Sequence, residues 1–467
     1  MLQFKYFKVI RIAVLCIVAL MFSSCDKFLE EKSDKAFVVP NSLQDLQALL
    51  DNNSVINLNM SAGLIEMNTD DFFVESVVYN GLTEFEKQAY RYDSHPWFQQ
   101  INVNQQWKNP FLTIYYTNTV LDRLSLLKND NTKEYQAIKG AALFIRAFTF
   151  FQLAQVYCPD YRKGDVNHNN AALGLPLRLN PDFSEQSRRS TVLETYSQII
   201  KDLKEAELLL PDQIEYVMRP SKLAAIAMLA RVYLNMEDYS EALVYAEKAL
   251  SINNTLMDYK LRNTNINTPF EIMNPEVIFQ AHCTSLSILN GSRANVDTLL
   301  YQQYSDDDLR KKLFFNSKTN GRVAFKGNYA GQYSSSFFNG LAIDELYLIK
   351  AECLARDNKL TAAKLIMTQL LKNRFATTYH FPNQYQSQEE VLRYILLERR
   401  KQLLFRGIRW SDIRRLNKDV RFRKELERNI TIDGQNKTFN LPFDDVRMTV
   451  LIPQDVITKT GMQQNPR

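Results

Sequence analysis

The chain is poor in the side chains that most often carry metal or nucleophilic chemistry: 467 residues hold five cysteines and four histidines. The cysteines, at positions 16, 25, 158, 283 and 353, form no C-x-x-C pair and have no spacing that recruits histidines, which argues against a zinc site. His95, His168, His282 and His380 lie far apart with no H-E-x-x-H, so metallohydrolase chemistry has little support. Neither a G-x-S-x-G nor a P-loop is present. The run DVNHNN from Asp165 opens like a calcium loop, but Asn170 stands where the turn glycine belongs and Pro176 where the bidentate acid belongs, so it reads as a polar surface loop. No strong charge of one sign exists either. The formal net charge of +5 falls to +2 without the first 24 residues, which hold Lys5, Lys8 and Arg11 and no acid. Basic residues crowd 399–428, but Glu398, Asp412, Asp419, Glu425 and Glu427 interleave with them, so no nucleic acid is expected as a partner. The leader's apolar run, residues 12–22, falls short of the ~20 residues that a bilayer span requires.

That run does have a reading. Preceded by basic residues and followed by Ser23, Ser24 and Cys25, it is a secretory signal peptide over 1–24. Two small residues before a cysteine resemble a lipobox, the cleavage and lipidation site of bacterial lipoproteins. Several acyl chains on Cys25 would hold the product firmly, since each buried methylene contributes about 0.8 kcal/mol and one chain alone is marginal. Cys158, Cys283 and Cys353 read as small buried apolar residues.

Beyond the leader, 45% apolar and 23% charged content describes a globular chain too long for one simple core, so a two-lobed or repeat-built body is expected. Leu43, Leu46, Leu49 and Leu50 have helical spacing. Residues 51–100 lose periodicity through Asn, Asp, Gly and Pro and read as loops. Helices are predicted from near Asn102, over 134–156, and after a cap at Ser190 or Thr191. Arg146, on the apolar face of the second of these, reads as a structural ion. Ala230, Tyr233, Ala242 and Ala249 then fall at tetratricopeptide spacing, with Ala246 where a larger residue is usual, and Ala351 and Ala363 repeat two of those positions. Small residues there let paired helices approach closely, and stacked hairpins bury a core that no single hairpin supplies. The fold class expected is mainly α, a tetratricopeptide-like scaffold of helical hairpins with long loop-rich insertions forming a ligand-binding face. The largest insert is 251–340, where helical periodicity fades.

The stretch LLERRKQLLFRGIRWSDIRRL, 396–416, mixes ions with large apolar groups and reads as a helix packed from several sides. Glu398 is expected partly buried, linked to Arg409 if Gly407 leaves the helix intact, or to an arginine nearer in sequence. Trp107 and Trp410 read as core. Glu398, Arg399, Arg400, Leu403, Gly407, Arg409, Trp410, Asp412 and Arg415 match the E-R-R-x-E-L-x-x-E-G-x-R-x-x-D-L-x-R signature of the SusD/RagB nutrient-binding outer-membrane lipoproteins, which this chain resembles, with Gln402 and Arg406 replacing two acids of the pattern. Gly140, Ala142, Phe144, Arg146, Ala147 and Phe151 match a second family run, Asp307 or Asp308 with Arg310 resembles its D-x-R element, and the tail VLIPQDVITKTGMQQNPR resembles its closing signatures. The resemblance runs from Cys25 to Arg467, divided into an N-terminal helical region, 25–250, and a C-terminal region, 251–467.

The resemblance implies a surface receptor without catalytic residues, cofactor or metal. It implies a lipid-anchored protein in the outer membrane, facing the cell exterior, that lies as a lid on a SusC-like TonB-dependent transporter and captures oligosaccharides or, in some members, peptides. Asp26, Glu30 and Glu31 resemble the surface-export tag of Bacteroidetes lipoproteins. Sugars present C–H faces to aromatic rings and hydroxyls to amides and carboxylates. YRYDSHPWFQQ, 90–100, fits that chemistry, with Trp97 and Tyr92 as platforms and Asp93, His95 and Gln99 as polar fingers. Tyr301, Tyr304 and Tyr333 are further candidates from the insert. Acid pairs such as Asp70 with Asp71 could serve a glycosidase, but adjacent loop acids are mostly solvated or capping. A peptide receptor of the same architecture and a ligand-free tetratricopeptide scaffold are the alternatives.

Overall fold

The structure is a computed structural model that describes residues 40–94, 101–127 and 132–467. Cys25 and its leader, with His95, Trp97 and Gln99, lie outside the described residues, and residues 43–467 form one contact unit.

Helix α1, Leu43–Leu50, forms where its leucines predict. The following segment differs from expectation. Residues 51–94 carry four helices of one or two turns, Asn53–Ile56, Leu64–Met67, Ser76–Asn80 and α2, Glu84–Tyr90, with strand β1, Phe72–Val74. None is long enough to show a helical period, and their ends are fixed locally: Thr83 and Glu86 close a capping box at the start of α2. The Asp165 run is likewise a short helix, Val166–Ala171, capped by Asp165, rather than a loop.

The long helices then stack in chain order. Helix α3, Ile101–Leu126, packs on α4, Lys133–Tyr157, and α4 on α5, Val192–Leu209. Helix α4 is apolar and long enough to cross a bilayer, but it is a core helix, with 89% of its most apolar window buried in the protein. Arg146 is indeed a structural ion there, its Nε and Nη2 donating to the Asp202 carboxylate at 2.8 and 2.9 Å. Thr191 caps α5 in a second capping box.

The two predicted hairpins follow: α6, Lys222–Asn235, with α7, Tyr239–Ile252, and α8, Ile343–Arg356, with α9, Leu360–Leu371. Ala230, Ala242, Ala246, Ala249, Ala351 and Ala363 are all buried, which permits the close helix approach, and Tyr233 stacks on Tyr245 at 5.5 Å. Arg231 joins the hairpins through a bidentate pair with Glu345 at 2.6 and 2.9 Å.

The insert between the hairpins is built of short antiparallel pairs. β2, Val277–Phe279, pairs with β6, Leu341–Ala342; β3, Ala294–Val296, pairs with β1; β4, Phe315–Ser317, pairs with β5, Val323–Phe325. Its rings face inward: Tyr304, Tyr329, Phe337 and Phe338 are buried. Tyr329 donates to Glu276 Oε2 at 2.9 Å, and the Arg374 guanidinium lies 4.0 Å from the centre of the Tyr259 ring while bonding Glu276 at 2.6 Å.

Residues 396–416 are two helices, not one. Helix α10, Gln388–Gln402, ends before a turn in which Phe405 and Gly407 take φ values of 54° and 68°, and α11, Arg409–Leu416, starts after it. The Glu398–Arg409 link is therefore absent. Glu398 instead bonds Arg310 at 2.6 Å and Lys401 at 2.7 Å, and Arg310 also grips Asp308, so the D-x-R element is structural. Arg409 reaches across the molecule to both oxygens of Asp70 at 2.7 and 2.9 Å. Trp107 and Trp410 are core residues, as are Cys158, Cys283 and Cys353. A hairpin of β7, Leu426–Ile432, and β8, Gln435–Leu441, precedes the tail.

Candidate functional site

The ion cluster that replaced the expected link also positions the cleft described below. Arg400 bonds Asp71 at 2.9 Å and Asp297 at 3.1 Å, while Arg409 and Lys424 hold Asp70. Burial alone would push the Asp70 carboxyl up, but Arg400 and Arg409 hold it well below the usual range. Its neighbour goes the other way, since burial and the charge of Asp70 raise Asp71 despite Arg400. An acid pair so enclosed by guanidinium groups is a structural clamp, not the open pair of a glycosidase. The clamp fixes β1, which pairs in register with β3 from Phe72 opposite Val296 to Val74 opposite Ala294. Residues 285–293 lead directly into β3, so the clamp anchors the base of that loop.

The loop's other anchor is α2. Glu86 is buried, and its Oε1 accepts from Ser287 Oγ at 2.6 Å and from the Ile288 amide at 2.9 Å, while Oε2 accepts from the Thr83 amide and hydroxyl. Between α2, the start of α3 and this loop lies a cleft of about 500 Å³. Its walls are largely hydroxyl and amide groups: Ser285, Ser287, Ser292, Ser335, Asn290 and Gln105, with Arg293 among them. Gln106 closes the inner end, its Oε1 accepting from the Gly63 amide at 2.6 Å.

Tyr333 stands beside this cleft. A Cβ on Gly291 would come within 2.1 Å of the Tyr333 hydroxyl, so glycine is required for the ring to lie against the loop that carries Asn290 and Ser292. The ring is 42% exposed, and its other neighbours form a small apolar crevice with Leu289, Phe325, Phe337 and Phe405. It is thus an aromatic residue, partly open to solvent, packed on the loop that borders the polar cleft but outside the cleft lining itself.

The remaining candidates fall in different places. Tyr92 is a correction: it is buried with φ of 56°, its hydroxyl donates to the Asn68 carbonyl at 3.2 Å, and Arg428 lies 5.6 Å from its ring centre, so it has no open face for a sugar. Burial pushes its hydroxyl up to about 12. Tyr304 is a second correction, buried between Lys401 and Arg310, with its hydroxyl donating to the Lys401 carbonyl at 2.8 Å. Tyr301 is half-buried, edge-on to Phe315 at 5.2 Å and 5.7 Å from Lys311 Nζ, away from the cleft lining. Asp93 is half-buried and paired with Arg91 at 2.8 Å. His95, Trp97 and Gln99 are outside the described residues, in the segment that precedes α3. The loop 285–293 was not read from the sequence as a site, although SLSILNGSR joins small hydroxyl residues to an Asn-Gly turn, the composition of a polar binding loop. Among the described residues no group of three His, Cys, Asp or Glu could hold a metal ion.

Comparison with known proteins gives one family. A model described as starch-binding associating with outer membrane matches residues 27–234, and a model described as SusD family matches residues 318–467. A SusD-like protein P2 from Formosa agariphila is 31% identical over 162 residues, which are 34% of this chain and 29% of that protein. The chain thus spans under a third of that curated relative. Among solved structures, a SusD superfamily protein from Bacteroides thetaiotaomicron superposes with a TM-score of 0.70 at 21% identity, covering 91% of this chain and 100% of that one. A SusD-like carbohydrate binding protein from Bacteroides vulgatus superposes with a TM-score of 0.65 at 19% identity, covering 90% and 97%. The two family models lie in order along most of the helical body, and the ion-rich turn at 398–415 falls inside the second: the chain belongs to the SusD/RagB family.

Proposed function

We propose that this protein is a non-enzymatic surface receptor, tethered by acyl chains on Cys25, that captures an oligosaccharide and passes it to a SusC-like TonB-dependent transporter. The observation that carries the sugar reading is the cleft itself. It has room for a small number of sugar rings, its walls offer hydroxyl and amide partners for sugar hydroxyls, and Tyr333, packed on the same loop outside the cleft lining, offers a partly exposed aromatic group. The names of the related proteins, starch-binding and carbohydrate binding, favour the same class. Trp97, with His95 and Gln99, belongs to this proposal as a second platform and its polar neighbours, joined in sequence to the helix that carries Gln105.

Calorimetric titration of the mature chain with a panel of oligosaccharides tests the reading. Tyr333→Ala and Trp97→Ala are each expected to weaken the best sugar about tenfold, the loss of one stacked ring. The sugars should be recovered uncut. Binding of peptides with no response to any sugar would replace this reading by the peptide receptor.

A further inference from the structure

Among the described residues the cleft lining holds one cation, Arg293, which forms no direct ion pair: the Ser287 hydroxyl stands between it and Glu86. Resting on the reading of the cleft as a sugar site, we infer that it selects acidic oligosaccharides, with Arg293 reading a carboxylate or sulfate ester on the ligand. Buried arginines elsewhere in the body are committed. Arg146, Arg231 and Arg310 grip carboxylates, and Arg414 and Arg428 donate through both terminal nitrogens to backbone carbonyls. Arg293 is half-buried in the cleft wall and, among the described residues, its guanidinium donates only to Ser287 Oγ. Among the described residues the cleft lining contains one carboxylate, Glu86, which is buried and already accepts from four donors, so it cannot turn to face Arg293 without breaking the capping box and the loop anchor. The negative charge is therefore held inside and the positive charge at the wall.

A planar, five-donor guanidinium matches a carboxylate or sulfate in a two-bond fork, and a charged acceptor there replaces water without leaving an unpaired group. The surrounding groups suit the rest of such a ligand. Asn290 Oδ1 is taken by the Ser292 amide and hydroxyl, which leaves its Nδ2 to donate to sugar hydroxyls. A neutral glycan would gain nothing from the arginine beyond an ordinary hydrogen bond.

The test uses matched pairs on the full mature protein by calorimetry: an oligogalacturonate with its carboxyl-reduced form, and a sulfated galactan oligosaccharide with its desulfated form. At least one charged member is expected to bind about tenfold tighter than its neutral mate. That preference should shrink on raising salt to about 0.5 M, vanish in Arg293→Gln and survive in Arg293→Lys. Whichever pair shows it identifies the anion as carboxylate or sulfate. Failure of both charged members to bind, equal binding within both pairs, or a preference that persists in a folded Arg293→Gln variant overturns the inference. Neutral sugars that bind equally and are lost in Tyr333→Ala would leave the sugar receptor standing and remove only its charge selectivity, whereas binding of peptides alone would remove both.

Discussion

Burial of whole ion groups sets the behaviour of individual residues in this protein. Glu352 shows the consequence: it is fully enclosed, yet Arg415 grips both its oxygens at 2.6 and 2.7 Å and Arg356 adds a third bond at 2.9 Å. Burial raises its carboxyl, but Arg415 and Arg356 bring it down to about 2. A carboxyl held below its ordinary 4.5 stabilises the fold fully above that value, and this contribution is lost as pH falls from 4.5 toward 2. Glu352→Gln is therefore expected to unfold at a lower temperature at pH 7, by an amount equivalent to about 3 kcal/mol or more, because two guanidinium groups lose their counter-charge. Near pH 2 the variant and the parent should converge. His282 acts in the same direction at higher pH. Burial lowers its imidazole from 6.5 to about 4, so stability present above pH 6.5 is lost as pH falls to 4, and His282→Asn should flatten that part of a melting-temperature profile. Sequence alone exposed the ionic character of 398–415, since so many charges beside Leu403, Leu404 and Ile413 cannot all be solvated. It did not reveal the partners, because Asp70 and Asp308 come from distant segments.

At the scale of elements, what could be read from the sequence depended on length. Helices of twelve or more residues show their period, so the helix read over 134–156 is α4, Lys133–Tyr157, and the small residues at tetratricopeptide spacing mark the helix contacts of the two hairpins without fixing their ends. Residues 51–94 were misread because single-turn helices have no period to show and are held by contacts made from outside. Tyr304 was misplaced for a related reason: it sits in a sequence with loop composition, and only packing against α10 turns it inward. The break between α10 and α11 was conditional on Gly407. Its φ of 68° and a Cβ-to-Asn339 approach of 2.7 Å leave no room for a side chain. Gly407→Ala is expected to cost about 1–3 kcal/mol in chemical denaturation, with an unchanged m-value, because strain and not compactness is altered.

For the whole molecule, the fold class was legible and the binding face was only partly so. Tyr333 was singled out in the sequence, while Arg293 and Asn290 were not, since a short polar loop acquires meaning only when α2 and β3 anchor it at both ends. The receptor reading makes a prediction at this scale too. Cys25→Ser should release the protein from outer membranes into a soluble fraction while leaving its sugar affinity, measured on the purified chain, unchanged within about twofold. Wild-type protein should co-purify with a large β-barrel transporter after mild solubilisation, and a wild-type protein recovered alone would favour the ligand-free scaffold.

Arg428 donates to the backbone carbonyls of Thr69 and Phe72, while Arg400, Arg409 and Lys424 close on Asp70 and Asp71. Asp70 and Asp71 therefore acquire these counter-ions from residues more than three hundred positions further along the chain. A growing polypeptide that has not yet made its C-terminal part holds two acids that no helix will accept into an interior, so this region matures late, and the cost of contacts so distant in sequence falls on folding speed more than on final stability.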